Sequence, residues 1–81
     1  MALQLTWSPD ALRDLSAFDA GQARRIIAGV ERFAQTGHGD IKRLKGSRDL
    51  RLRVGDYRVF LDVARGQAIV LHVSNRREAY R

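Results

Sequence analysis

The chain has 81 residues, 44% hydrophobic and 30% charged, with a net charge of +6 and no cysteine. That composition describes one folded domain, 1–81, with one small core; it is too short for two cores and has no thiol for disulfides, metal ligation or nucleophilic attack. No apolar run reaches the length of a membrane span, and "MALQLTWSPD" lacks the basic start and apolar stretch of a secretion signal, so a cytoplasmic protein is expected.

The first element is "LQLTW", with Leu3, Leu5 and Trp7 alternating onto one face as in a short strand. "SPD" then starts a helix: Ser8 is suited to the N-cap, Pro9 to the first helical position and Asp10 to the positive first turn. Leu12, Leu15 and Phe18 follow at helical spacing. A second helix starts at Asp19, with Gln22 three residues on to complete a capping box. Ala23, Ile26, Ile27, Val30, Phe33 and Ala34 form its apolar stripe, and Gly37 is placed to end it in the left-handed conformation.

Residues 41–48, "IKRLKGSR", read as a basic connector. Three strands follow: Leu50 to Val54, Tyr57 to Val63 and Ala68 to Ser74, then a polar, basic tail, "NRREAYR". The predicted fold is α+β: an N-terminal strand, a two-helix hairpin and a three-stranded antiparallel meander, with one sheet packed on the helices.

The two halves differ in charge. Residues 1–40 carry four arginines against five acids, a net of −1, whereas residues 41–81 carry eleven bases against four acids, a net of +7. Only Lys42 and Lys45 among the fifteen bases are lysines. Such an asymmetry suggests a polyanionic partner, and arginine suits planar, bidentate contacts with phosphate.

The register of the first hairpin sharpens this. A two-residue turn at Gly55-Asp56 pairs Val54 with Tyr57, Arg53 with Arg58, Leu52 with Val59 and Arg51 with Phe60. Alternation then gives one apolar face, Leu50, Leu52, Val54, Tyr57, Val59 and Leu61, and an opposite face with Arg51, Arg53, Arg58 and Phe60. Like charges opposite one another destabilise a sheet, so a cluster of this kind points to an anionic ligand. The competing reading is a solvated face on which Asp49 and Asp62 pair with arginines and the charges guard against edge pairing.

The last strand admits two registers. A three-residue turn, Arg65-Gly66-Gln67, sends Ile69, Leu71 and Val73 to the core, and Val70, His72 and Ser74 to the basic face, with His72 near Phe60. A two-residue turn reverses this, and apolar counting slightly favours the first. His72 is a candidate acid or base, imidazole being the side chain that changes charge nearest neutral pH.

The order of these elements, with "LKG", "RLRVGDYRV" and the terminal Val73, Arg76, Tyr80 and Arg81 of "VSNRREAYR", resembles the RelE/ParE superfamily of bacterial type II toxins, closest to its RelE branch. The resemblance spans essentially the whole chain. It implies a RelE-like fold and a metal-independent endoribonuclease that cuts messenger RNA on the ribosome and inhibits translation. It also implies a cognate antitoxin protein as partner, with no membrane and no small-molecule cofactor. Carried over position by position, the pattern falls on Arg51, Arg53, Arg58, Arg76 and Tyr80, with catalytic groups expected at Arg53, Arg58, Arg76 and Tyr80. Arg51 and the other bases of the positive half, Lys42, Arg43, Lys45, Arg77 and Arg81, are the expected RNA contacts.

In that chemistry a 2′-OH attacks the adjacent phosphate. Arg58 would stabilise the charged transition state, Arg76 would sit at the leaving 5′-oxygen, and Tyr80 would stack on or orient a base. RelE-type proteins typically carry lysines where this chain has Arg51 and Arg53. A lysine can be tuned to act as a base and an arginine hardly can, which leaves Arg53, His72, Glu78 or no efficient base.

Three other functions compete. One is a ParE-like inhibitor of DNA gyrase that works by binding without chemistry. Another is a catalytically degenerate member that binds an antitoxin, and the third is an unrelated small nucleic-acid-binding module. Metal and nucleotide cofactors are not expected: the only histidines are His38 and His72, without a carboxylate cluster at ligand spacing, and no glycine-rich phosphate loop follows a strand.

Overall fold

The computed structural model describes residues 2–44 and 49–75. In chain order the elements are β1 (Gln4–Trp7), α1 (Pro9–Ser16), α2 (Ala20–Thr36), β2 (Asp40–Arg43), β3 (Asp49–Val54), β4 (Tyr57–Ala64) and β5 (Gln67–Asn75). The strands form one sheet in the order β1-β5-β4-β3-β2. β1 lies parallel to β5, and every other pairing is antiparallel.

Both helix starts follow their capping residues. Ser8 accepts the N–H of Ala11 at 3.1 Å, with Pro9 at the first helical position. Asp19 accepts the N–H of Gln22 at 2.9 Å. Gly37, at φ 76°, ends α2, a conformation glycine adopts without the Cβ penalty. The buried face of α2 is Ile26, Val30, Phe33 and Ala34, as its stripe predicts. In α1 the buried residues are Ala11 and Leu15, while Leu12 is 54% exposed. The rotation of α1 is set by side chains of Ser8 and Asp14 that bond β5, so Ala11 rather than Leu12 meets the sheet.

The core lies between the helices and one sheet face. Ile26, Val30, Leu52, Val59, Leu61 and Val70 are its largest fully buried side chains, each worth roughly 1.5–3 kcal/mol of transfer free energy. Leu50, Val54 and Tyr57 pack at its margin, and the Tyr57 ring meets Phe18 at a centroid distance of 4.7 Å. The helix layer comes close at Gly29, where a Cβ would stand 2.9 Å from Val54 Cγ2.

Two features depart from the sequence-based expectation. Residues 40–43, expected as irregular chain before and within the connector, form the edge strand β2 on β3, so the sheet has five strands. The β4–β5 turn has two residues, Arg65 and Gly66, with Ala64 opposite Gln67. Both adopt positive φ, 53° and 75°, the twist that two-residue hairpins favour. This turn puts Ala68 and Val70 in the core and leaves Ile69 opposite Asp62 on the other face. A bulge then intervenes: Leu61 pairs with Val70 but Phe60 pairs with His72, so Leu71 is the extra residue. The phase is thereby reversed. Val73 returns to the core, and His72 and Ser74 join the basic face, as the three-residue turn had predicted. Each register thus holds on one side of the bulge.

Candidate functional site

The sheet face turned away from the helices is built in cross-strand rows. β3 and β4 pair as expected, Arg53 with Arg58 and Arg51 with Phe60. β2 extends these rows by setting Asp40 beside Arg53 and Lys42 beside Arg51, and β5 completes them with Ser74 beside Arg58 and His72 beside Phe60. One row therefore reads Asp40-Arg53-Arg58-Ser74 and the next Lys42-Arg51-Phe60-His72.

Lys42, Arg51, Arg53 and Arg58 come together around a shallow cleft of about 140 Å³, which Asp40, Asp56 and Tyr57 also line. Sites that enclose a drug-sized ligand run to about 300–1,000 Å³, so this one can seat a phosphate or part of a nucleotide but cannot engulf a nucleotide. Four cations around two carboxylates leave the cleft positive. The helix layer packs on the opposite sheet face, so an extended polyanion can lie across the rows.

The other candidates are distributed as follows. His72 shares the face but stands beyond Phe60, toward the β5 edge. Arg43 alternates to the other side of β2, opposite Leu50, and is not part of the cluster. Lys45, Arg76, Arg77, Glu78, Tyr80 and Arg81 lie outside the described residues. Asp62, expected as a counter-charge, stands across the strands from Asp49, and among the described residues its Oδ1 is sealed from solvent without a hydrogen-bond partner. Among the described residues no group of three or more His, Cys, Asp or Glu side chains could hold a metal ion, and no helix is long and apolar enough to cross a membrane.

Sequence reasoning missed Asp40, Asp56 and Asp14. The alternation of "DIKR", with a single apolar residue at Ile41, is too short a signal to identify a strand. Asp40 becomes a neighbour of Arg53 only through the β2–β3 pairing.

A search of curated protein sequences returns no significant match. Among solved structures, the chain is similar to one in the RelB–RelE antitoxin–toxin complex from Methanococcus jannaschii. The TM-score is 0.77 at 25% identity, covering 93% of this chain and 94% of that one. It is likewise similar to a chain of the archaeal RelE–RelB complex from Pyrococcus horikoshii OT3, with a TM-score of 0.79 at 20% identity over 94% and 97% of the two chains. The YoeB dimer from Staphylococcus aureus contains a similar chain, with a TM-score of 0.70 at 20% identity over 89% and 94%. The model of one family, the ParE toxin of the type II toxin–antitoxin system, parDE, matches residues 5–80. With that match over nearly its whole length and a RelE-like fold, the chain belongs to the ParE toxin family within the RelE/ParE superfamily, as the toxin of a type II toxin–antitoxin system.

Proposed function

We propose that this toxin is a ribosome-dependent messenger-RNA endoribonuclease, held inactive by a cognate antitoxin and acting in the cytoplasm, where its substrate is translated. The observation that carries the reading is the row structure of the open sheet face, which gathers Lys42, Arg51, Arg53 and Arg58 around one cleft. Guanidinium groups held on paired strands are preorganised to neutralise charge as the 2′-oxygen attacks phosphorus and the 5′-oxygen leaves. The antitoxin is inferred from similar chains that occur in complexes with RelB. The shallow cleft supports the dependence on ribosomes: an external scaffold would align the 2′-OH with the phosphate, a large positional term.

A second reading, inhibition of DNA gyrase by binding, draws on the family description that matches residues 5–80 and on arginine standing at 51 and 53 in place of lysine. One experiment separates the two. Wild-type protein and Arg58→Ala are given messenger RNA on programmed ribosomes, the same RNA free in solution, and gyrase with plasmid DNA. The nuclease reading expects cuts on the ribosome, little cutting of free RNA and unimpaired supercoiling. Arg58→Ala should lose activity on the order of 10²–10³-fold, the cost of removing one preorganised donor, with its thermal midpoint little changed. Gyrase inhibition with intact messages would establish the second reading. A folded Arg58→Ala that cuts like wild type would remove the cluster from the chemistry.

A further inference from the structure

α1 and β5 are joined by contacts that the cation cluster does not use. Where β1 ends at Trp7, α1 takes over the edge of β5. Ser8 donates its N–H to the carbonyl of Val70 and its hydroxyl to that of Leu71, each at 2.9 Å. Farther along the helix, Asp14 Oδ2 accepts the N–H of Val73 at 2.9 Å. The same oxygen lies 3.7 Å from Nδ1 of His72. The carboxylate is thus fixed by the backbone on one side and faces an imidazole on the other. Its side chain is 32% exposed and that of His72 58%, so the ring is open to a ligand while its acidic neighbour is largely covered.

The bulge at Leu71 is what brings His72 to the basic face. There His72 pairs with Phe60, and Arg58 on the same strand as Phe60 pairs with Ser74. His72 and Arg58 are therefore diagonal neighbours, a relation of roughly 7–8 Å that long side chains can span. One phosphodiester can lie between them.

We infer that Asp14 and His72 form a carboxylate–imidazole dyad in which His72 takes the 2′-hydroxyl proton and Asp14 positions the ring and balances its charge. The inference rests on the endoribonuclease reading and supplies the base that arginines at 51 and 53 do not. A carboxylate at Nδ1 favours the tautomer with hydrogen there and leaves Nε2 as acceptor. In the step, the bond from the 2′-oxygen to phosphorus forms and the bond from phosphorus to the 5′-oxygen breaks. The 2′ proton passes to Nε2, the 5′-oxygen takes a proton from water, and the imidazolium returns its proton to that hydroxide. The products are a 2′,3′-cyclic phosphate and a 5′-hydroxyl, with no net change in protons. His72 is the catalytic residue and Asp14 the positioning residue.

The test is single-turnover cleavage on programmed ribosomes by wild type, His72→Ala, Asp14→Asn and the double variant, with thermal unfolding of each. His72→Ala should slow cleavage on the order of 10²–10³-fold, within the usual range for a general base, and added imidazole should restore part of the rate. Asp14→Asn keeps an oxygen for the Val73 N–H but removes the charge. It should slow the rate constant roughly tenfold with half-saturation unchanged, and have no effect once His72 is gone, as coupled groups require. An equal Asp14→Asn effect with and without His72 would reduce Asp14 to a structural cap and overturn the dyad. His72→Ala cutting as fast as wild type would do the same, and because that ring is exposed this variant decides the matter even if Asp14→Asn loses the fold. Wild type that cuts nothing on the ribosome ends both readings; wild type that cuts alongside a fully active His72→Ala ends only this one.

Discussion

Arg53 is the residue at which substitution separates charge from proton transfer. It is exposed, pairs with Arg58 across the hairpin and has Asp40 on its other side. A guanidinium there can hold phosphate oxygens in a bidentate contact but hardly gives up a proton. Arg53→Lys keeps the charge and introduces an amine that can act as a base. Cleavage on the ribosome is expected to persist or rise, measured as a single-turnover rate beside wild type. A large loss in a folded Arg53→Lys would mean that the planar fork of arginine, rather than its charge, is what the substrate needs.

At the scale of an element, the β4–β5 hairpin carries a local penalty. Arg65 is the one non-glycine among the described residues at positive φ, 53°, where an L side chain costs roughly 1–2 kcal/mol and asparagine or glycine less. Arg65→Asn should therefore stabilise the protein by about 0.5–1 kcal/mol. For a domain of this size that is a rise of a few degrees in thermal midpoint. Calorimetry or far-ultraviolet circular dichroism would show it, and an unchanged or lower midpoint would mean that contacts of the arginine outweigh the backbone strain. The same element shows how two local devices combine: the tight turn sets one phase of alternation and the bulge at Leu71 reverses it, so that a core strand delivers His72 to the open face.

At the scale of the molecule, helices cover one sheet face and Lys42, Arg51, Arg53 and Arg58 gather on the other, in a chain whose residues 41–81 carry a net of +7 by sequence. A partner that silences such a surface should be acidic or amphipathic, and its approach steered by charge. The association rate with the cognate antitoxin is expected to fall about tenfold or more as salt rises from about 50 to 500 mM, with dissociation much less affected. Stopped-flow kinetics at several salt concentrations would measure this. A rate indifferent to salt would assign recognition to apolar contacts alone.

The amino-acid sequence determined by itself whatever depends on neighbours along the chain. The helix caps at Ser8 and Asp19, the stripe of α2 and the Arg53–Arg58 pairing are fixed by residue type and short-range spacing, so three members of the cation cluster were visible before any tertiary contact was known. Tertiary structure alone decided the rest. β2 is a strand because β3 offers it an edge; four residues with one apolar side chain have no strand identity of their own. The rotation of α1 and the exposure of Leu12 follow from bonds to β5 some sixty residues away. The bulge has no marker in "QAIVLHVSN", since either phase puts apolar residues in the core, and the choice is made where the turn, the core and the edge of α1 are satisfied together. Asp14 and His72 are 3.7 Å apart for the same reason: local chemistry selects the elements, and packing selects which side chains they bring together.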